Sequence, residues 1–154
     1  MTDLDVAFVP TPKKIVQAML RLASLRRGET LFDLGAGDGR VIIEAARRFG
    51  ANAIGVEIDP RNISRIKERL ATTGTKASLI EANMFEINLT SADVITIYLS
   101  TSANARLAPK LTAELKPGAR IVSLDYSLPG WVAKQELQVE ASGIARTIYL
   151  YKKA

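Results

Sequence analysis

Residues 31–40 read LFDLGAGDGR, and this stretch decides the fold that the 154-residue sequence predicts. Thr30 to Leu34 has the apolar character of a short buried strand, and three glycines then interrupt it. Residues 41–49 carry apolar side chains at helical spacing up to Gly50, which is typical of a helix end. Glycine lets a ligand approach the main chain closely. In an open parallel sheet, such a junction lies at the crevice where ligands bind.

Besides the helix over residues 41–49, three more helices are predicted from start and stop signals. They cover residues 12–25, 60–74 and a segment that ends near residue 115. Thr11 is expected to cap the first of them, with Pro12 in its first turn. Asp59 is expected to cap the helix over residues 60–74, and Gly74 to end it. Pro109 is expected to kink the last helix or to break it into two.

Strands alternate with these helices along most of the chain. Beyond the first strand, they are predicted at residues 53–57, 77–81, 93–99, 120–125, 134–139 and 145–152. The alternating side chains of the last two favour an antiparallel hairpin. We therefore expect an α/β fold: a Rossmann-like open, mostly parallel seven-stranded sheet with helices on both faces and an antiparallel C-terminal hairpin. It is expected to form one domain over 1–154, with 1–27 as an N-terminal segment and 28–154 as the core.

Composition excludes several kinds of chemistry. The chain has no cysteine and no histidine, so disulfides, Cys/His zinc sites, cysteine nucleophiles and histidine bases are impossible. No metal is expected. No apolar run approaches the roughly 20 residues needed to cross a bilayer, and the short acidic N-terminus is unlike a signal peptide, so a cytoplasmic location is expected. The net charge of +5 indicates either solubility or attraction to acidic partners such as nucleic acid.

The glycine loop fits a dinucleotide poorly. Gly35 and Gly37 match the first two positions of G-x-G-x-x-G, but Arg40 occupies the third. Asp38 would also lie near a pyrophosphate and repel it. An acidic loop instead suits a ligand that has no phosphate and a cationic end, such as S-adenosylmethionine (SAM), which carries an ammonium and a sulfonium. The alternative is that the glycines only make a tight turn.

Two acidic residues support the SAM interpretation. Asp33, near the end of the first strand, is placed to bind the amino group of the methionine part. Glu57 ends the second strand, 18 positions beyond Gly39, where a carboxylate can accept hydrogen bonds from both ribose hydroxyls. We therefore predict that SAM is the cofactor and S-adenosylhomocysteine the product.

Five segments resemble the motifs of class I SAM-dependent methyltransferases: 33–39, 55–59, 81–84, 93–99 and 115–120. The resemblance implies that the 81–84 segment contacts adenine, with Asn83 where the family often has aspartate. The implied cofactor-binding residues in the core are Asp33, Gly35, Gly37, Asp38, Glu57, Ile58, Asn83 and Met84.

Three flanking segments, FVPTP at 8–12, IYLS at 97–100 and LPGW at 128–131, extend the resemblance. Together they look like the small archaeal protein lysine methyltransferases, which are related to the disruptor-of-telomeric-silencing type and to mitochondrial lysine methyltransferases. That likeness implies that Phe8, Pro10 and Thr11 cover the cofactor, and that Tyr98 lines a channel for the target lysine.

Lysine methylation needs a neutral amine, whereas a free lysine with a pKa near 10.4 is charged at pH 7. An apolar, aromatic channel beside the sulfonium charge disfavours the ammonium, so no histidine base is required. We predict that Tyr98 orients the amine and that Tyr126 and Trp131 form the channel; for each, core or surface packing is the alternative. The expected partners are proteins with accessible lysines, including basic chromatin-type proteins, methylated with broad specificity by a monomer.

Other activities are partly excluded. Adenine-N6 and glutamine methyltransferases resemble one another in an Asn/Asp-Pro-Pro-Tyr/Phe motif, but residues 97–100 contain no proline. Cytosine-carbon methylation needs a cysteine, which is absent. Methylation of RNA or of a small molecule stays open, as does a SAM-binding domain without catalysis.

Overall fold

The computed structural model describes residues 10–154. The prediction for Phe8 lies outside these residues. A single seven-stranded sheet has the strand order β3-β2-β1-β4-β5-β7-β6. The strands are β1 Thr30–Leu34, β2 Asn52–Glu57, β3 Ser78–Glu81, β4 Val94–Ile97, β5 Arg120–Leu124, β6 Gln135–Ala141 and β7 Ile144–Lys152. The helices are α1 Lys13–Leu22, α2 Arg40–Phe49, α3 Pro60–Thr73 and α4 Thr101–Glu114.

The pairing of the strands confirms the predicted sheet. Strands β1 to β5 pair in parallel, while β7 pairs antiparallel with both β5 and β6. Successive strand residues face opposite sides, so Leu31 packs with α1 and α2, whereas Phe32 packs with α4. Ile66 of α3 joins the first of these two apolar layers. Helices therefore cover both faces of the sheet, as predicted.

The helix signals at Asp59 and the glycines act as predicted. Asp59 Oδ1 accepts a hydrogen bond from Arg61 N at 2.9 Å, and Gly50 and Gly74 end their helices with positive φ. The predicted cap at Thr11 is wrong by one residue. Pro12 is the N-cap, because its extended ψ of 146° keeps it outside the helix.

The expected break at Pro109 is also wrong, since α4 runs unbroken through it. Leu107 and Leu111 are fully buried against the sheet, and this packing holds the helix together on both sides of the proline. Pro109 itself lies on the exposed face, where water can satisfy the carbonyl that lacks its N–H partner.

Gly55 lets α2 pack closely on β2. A Cβ atom there would lie 3.0 Å from Ala36 Cβ and 3.1 Å from Ile42 Cδ1. We expect Gly55→Ala to lower the free energy of unfolding by about 1–3 kcal/mol, because a well-packed core resists added volume. Urea denaturation would measure this loss. Adding Ile42→Val, which removes the Cδ1 atom, should recover part of it; equal stability of Gly55→Ala and the natural sequence would contradict the packing argument.

Within the described part of the chain, no helix is long and apolar enough to span a membrane. The same residues contain no group of carboxylates that could hold a metal ion.

Candidate active site

Three predicted site residues and one further acid lie at one edge of the sheet, which the carboxyl ends of its parallel strands form. Glu57 ends β2, Asp33 is the fourth of the five residues of β1, Tyr98 follows β4 and Asp125 follows β5. These four strands are parallel, so their carboxyl ends lie side by side. This edge is where open α/β sheets bind ligands.

The glycine loop presents bare main chain to this edge. The N–H groups of Gly35 and Ala36 both donate to Val56 O, at 2.9 and 3.0 Å, which fixes the loop against β2. Gly35 has a φ of +76°, and a Cβ there would lie 2.9 Å from Leu99 Cδ2. It is also exposed, although the residues around it are buried. Any side chain at Gly35 would therefore fill the space where a ligand could approach the backbone.

Asp33 is a buried carboxyl group with one oxygen left for a ligand. Its Oδ1 accepts a hydrogen bond from Thr96 Oγ1 at 2.8 Å, while its Oδ2 has no partner among residues 10–154. Burial raises the pKa of Asp33 to about 8; the Thr96 bond lowers it, and repulsion from Glu57 and Asp38 raises it further. The ligand-free protein therefore holds a proton on Asp33 at neutral pH. A cationic group beside Oδ2 would favour the ionised form, so Asp33 suits an ammonium ligand.

Three main-chain donors hold the Glu57 carboxylate in place. Gly37 N donates to Oε1 at 2.8 Å, and the N–H groups of Ile58 and Asp59 donate to Oε2 at 3.1 Å. The Ile58 side chain beside it is 38% exposed, which leaves an apolar surface at this edge. A fixed carboxylate next to an exposed apolar side chain fits a ribose and the face of an adenine.

The third motif lies beside them, after β3, which pairs with β2. Asn83 Oδ1 accepts a hydrogen bond from Phe85 N at 2.9 Å, which fixes the amide while its NH₂ group makes no bond within residues 10–154. Met84 is 8% exposed and packs in the α4-side layer. The residues expected at the adenosyl end therefore lie at the ends of two adjacent strands.

Two arginines neutralise Asp38, one of the predicted cofactor-binding residues. Arg40 Nη2 lies 2.6 Å and Arg69 Nη2 3.3 Å from Asp38 Oδ2. Burial would raise the pKa of Asp38, but the hydrogen bonds and charge of Arg40, with Arg69, hold it below its ordinary value. Arg40 Nη1 also donates to the Thr11 carbonyl at 2.8 Å. Asp38 thus links the glycine loop to the chain before α1, where Thr11 is buried and Pro10 exposed.

Tyr98 and Tyr126 form a stacked pair, with ring centroids 6.3 Å apart and planes inclined by 18°. The Arg146 guanidinium carbon lies 5.3 Å from the Tyr98 ring centroid. Arg146 in turn binds Asp125 through two nitrogens, with Nη2 2.7 Å and Nε 2.9 Å from Oδ2. Burial raises the pKa of Tyr98, the charge of Arg146 lowers it, and Asp125 and Tyr126 raise it. We call these four residues the tyrosine cluster.

Trp131 does not join the tyrosine cluster. It packs edge-on against Tyr151, with centroids 6.3 Å apart and planes at 85°, in the layer on the α4 face. Tyr98 packs against the layer on the opposite, α1 face. Trp131 therefore lies in a different layer from the tyrosine cluster, and its place in the channel stays a prediction.

Sequence reasoning missed Asp125 and Arg146. Their contact depends on β7 lying antiparallel beside β5, where Asp125 N donates to Thr147 O at 2.7 Å. The positive φ of Asp125, +64°, is equally invisible in the sequence. The available signal was a charged residue directly after β5, at the edge where the other acids end their strands.

Comparison with solved structures defines the class of protein. The crystal structure of an RNA methyltransferase from Salinibacter ruber, in complex with S-adenosyl-L-homocysteine, matches with a TM-score of 0.86. It is 36% identical and covers 94% of this chain and 93% of its own. The sheet, the glycine loop and the acidic residues Asp33 and Glu57 on its two flanking strands are those of a class I, SAM-dependent methyltransferase.

Sequence comparison then gives the family. The ANTKMT methyltransferase domain matches residues 33–135, and the chain belongs to this family. A protein-lysine N-methyltransferase of Saccharolobus islandicus (strain REY15A) is 44% identical over 153 residues, or 95% of this chain and 92% of that protein. The adenine nucleotide translocase lysine N-methyltransferase of Mus musculus is 31% identical over 130 residues. The match spans 83% of this chain but 56% of the mouse protein.

Proposed function

We propose that this chain is a SAM-dependent protein-lysine N-methyltransferase of broad substrate specificity. The observation that carries the proposal is the stacked Tyr98–Tyr126 pair at the same sheet edge as Asp33 and the glycine loop. The 44% identical archaeal relative, which is named a protein-lysine N-methyltransferase, supports it.

The residues present fit the cofactor. When bound, SAM supplies a methyl group on a sulfonium, which an amine can attack. Asp33 would bind the ammonium end through its unpartnered oxygen, and Glu57 would bind the ribose. Ile58, Asn83 and Met84 would contact the adenine, and Gly35 and Gly37 keep the main chain accessible along the ligand. Asp38 acts through Arg40, which positions Thr11 near this edge.

The tyrosine cluster would receive the lysine. Two aromatic rings exclude water and lower the local dielectric, which favours the neutral amine over the ammonium. Arg146, 5.3 Å from the Tyr98 ring centroid, is paired with Asp125, so the two together bring no net charge to the channel. The Tyr98 hydroxyl keeps its proton because burial raises its pKa. Its oxygen can accept a hydrogen bond from an amine N–H, which orients the amine and leaves the lone pair free to attack the methyl group.

The Asp125–Arg146 ion pair should hold the two rings in register. We expect Arg146→Lys to lower methyl transfer about tenfold, because lysine keeps the charge but cannot bind a carboxylate through two nitrogens. SAM affinity should stay within about threefold, since neither residue belongs to the cofactor-binding set. Steady-state kinetics with a lysine peptide and calorimetry with SAM would measure the two effects.

A matched control is Arg61→Lys, which alters a similar two-nitrogen pair with Asp59 in which the arginine side chain is 76% exposed. Exposed pairs contribute little, so its kinetics should match those of the natural sequence. Equal effects of Arg61→Lys and Arg146→Lys would contradict a positioning role for Arg146.

The substrate class is tested by incubating the chain with labelled SAM and a mixture of cellular proteins and RNA. We expect label on lysine side chains, located by mass spectrometry, across many proteins. Label that nuclease removes, or label confined to small molecules, would overturn the proposal. SAM binding with no transfer to any pool would favour a non-catalytic binding domain.

Methylation of RNA is the second candidate function. The Salinibacter ruber structure is described as an RNA methyltransferase, and the net charge of this chain is +5. Nuclease and protease treatment of the labelled mixture separate the two functions directly, because each removes label from one polymer only.

Three finer points belong to the same proposal. We expect basic chromatin-type proteins among the substrates, a monomer in solution and a cytoplasmic location. We also expect residues 1–154 to act as one domain, with 1–27 covering the cofactor; the Arg40–Thr11 contact supports this. Light scattering on a sizing column tests the monomer, and uniform selection of one lysine in a proteome-wide map would contradict broad specificity.

A further inference from the structure

A cavity of about 410 Å³ lies at the opposite end of the sheet from the active site. Its apolar floor consists of Leu22, Ala23 and Leu150. It exists because α1 ends at Leu22 and the chain turns back there, with Leu25 N donating to Leu20 O at 3.2 Å. The amino-terminal end of β5 and the end of β7 are therefore left without a helix above them.

Basic side chains surround this floor. Arg26, Arg120, Lys134 and Lys152 line the cavity, and none of its lining residues within 10–154 is acidic. Arg120 and Lys152 are direct neighbours on paired strands, and Lys134 is tied to β7 because its N–H donates to Leu150 O at 2.7 Å. The sheet thus holds several cationic side chains close together.

One of the four cations is already neutralised by the fold. Arg120 binds Glu29 at 2.7 Å and also donates to the carbonyls of Ala23 and Ser24, which closes the end of α1. Within residues 10–154, by contrast, no carboxylate pairs with Arg26, Lys134 or Lys152, and all three are exposed. Like charges that converge without a partner destabilise a fold, and a bound anion would remove that cost.

We propose that this cavity binds the phosphate backbone of nucleic acid as a docking site, separate from methyl transfer. Nucleic acid carries about one charge per 1.7 Å of duplex axis, so neighbouring phosphates can meet three clustered cations at once. Lysine and arginine side chains without a fixed acidic partner bind phosphates independently of sequence. The apolar floor would accept the sugar.

The position of the cavity distinguishes docking from catalysis. Strand β5 has five residues and so separates Arg120 from Asp125 by roughly 16 Å. The phosphates bound at the cavity would therefore lie at the opposite end of β5 from the tyrosine cluster. The cavity would hold the enzyme near proteins that are bound to the same nucleic acid.

The test is the affinity of the whole chain for a labelled 20-base-pair DNA duplex across a series of salt concentrations. Lys134→Ala with Lys152→Ala should weaken binding at low salt by about tenfold or more. It should also reduce the slope of log affinity against log salt by about 2, since each lost phosphate contact removes about one unit. SAM affinity and methylation of a free peptide should not change in this variant. These two measurements report on the proposed function, whereas duplex binding reports on the docking site, so failure of one can be told from failure of the other.

The matched control is Arg47→Ala with Lys76→Ala, two exposed cations elsewhere on the surface. We expect less than a threefold loss from this pair. Equal losses from both pairs, or no binding of duplex by the natural sequence, would overturn the proposal. Polyglutamate is the test for acidic protein as the occupant. The proposal would also be overturned if polyglutamate displaced the labelled duplex at a lower concentration of charged groups than unlabelled DNA needs.

Discussion

Asp33→Asn should lower the affinity for SAM by about ten- to a hundredfold and leave the fold intact. The substitution removes the buried carboxyl group that would bind the ammonium end, and hydrogen bonds to charged groups contribute about 1.5–3 kcal/mol. Asparagine keeps an oxygen to accept the 2.8 Å bond from Thr96, so the strand itself is undisturbed. Isothermal titration calorimetry with SAM measures the loss.

The same variant should raise the stability of the ligand-free protein. The Asp33 carboxyl ionises near pH 4 when unfolded and at about pH 8 when folded. Between these values the folded state holds the extra proton, so the contribution of Asp33 to stability falls as pH rises through this window. At pH 7.5 we expect Asp33→Asn to melt at least about 3 °C higher, since about 1 kcal/mol corresponds to such a shift in a domain of this size.

Binding of SAM by the natural sequence should depend on pH in the opposite direction. Asp33 must lose its proton to pair with a cation, so affinity should rise by up to tenfold per pH unit between about pH 5.5 and 7. Asp33→Asn should abolish this dependence. A flat affinity profile for the natural sequence, or unchanged affinity in the variant, would remove Asp33 from the cofactor site.

Tyr98→Ala should lower methyl transfer about a hundredfold while SAM affinity stays within about threefold. The change removes the ring that stacks on Tyr126 and lies beside Arg146, and misplacing a reacting amine by about 1 Å can cost this much. Tyr98→Phe keeps the ring and loses one hydrogen bond, so about a tenfold loss is expected. Single-turnover rates with saturating SAM separate transfer from cofactor binding.

Tyr149→Phe is the matched control for the hydroxyl, because Tyr149 stacks on Tyr151 instead of Tyr126. Its rate should equal that of the natural sequence. If Tyr98→Phe were also fully active, Tyr98 would be a packing residue only, and the lysine channel would have to lie elsewhere.

The glycine loop and the strand ends were predictable because their signals are local. Leu31 to Arg40 contains a strand, a turn and a helix start within ten residues, and the structure places each element where this order predicts it. The acids at 33 and 57 follow from the same local pattern, since a parallel sheet brings strand ends together.

Contacts between distant segments were not predictable from local patterns. Trp131 and Tyr126 are only five residues apart, yet Tyr126 stacks on Tyr98 whereas Trp131 packs edge-on against Tyr151. Arg146 meets Asp125 only through the pairing of β5 with β7. Asp38 has two arginines beside it, of which Arg69 comes from the far end of α3. Composition and spacing do not encode such partners.

The insertion of β7 between β5 and β6 has a consequence for synthesis on the ribosome. Among the described strands, β6 has β7 as its single neighbour, and β7 is translated after it. Strand β6 can therefore join the sheet only through β7, whereas β1 and β2, which carry Asp33 and Glu57, pair directly with each other. Completion of the sheet at this end depends on the last strand of the chain to be made.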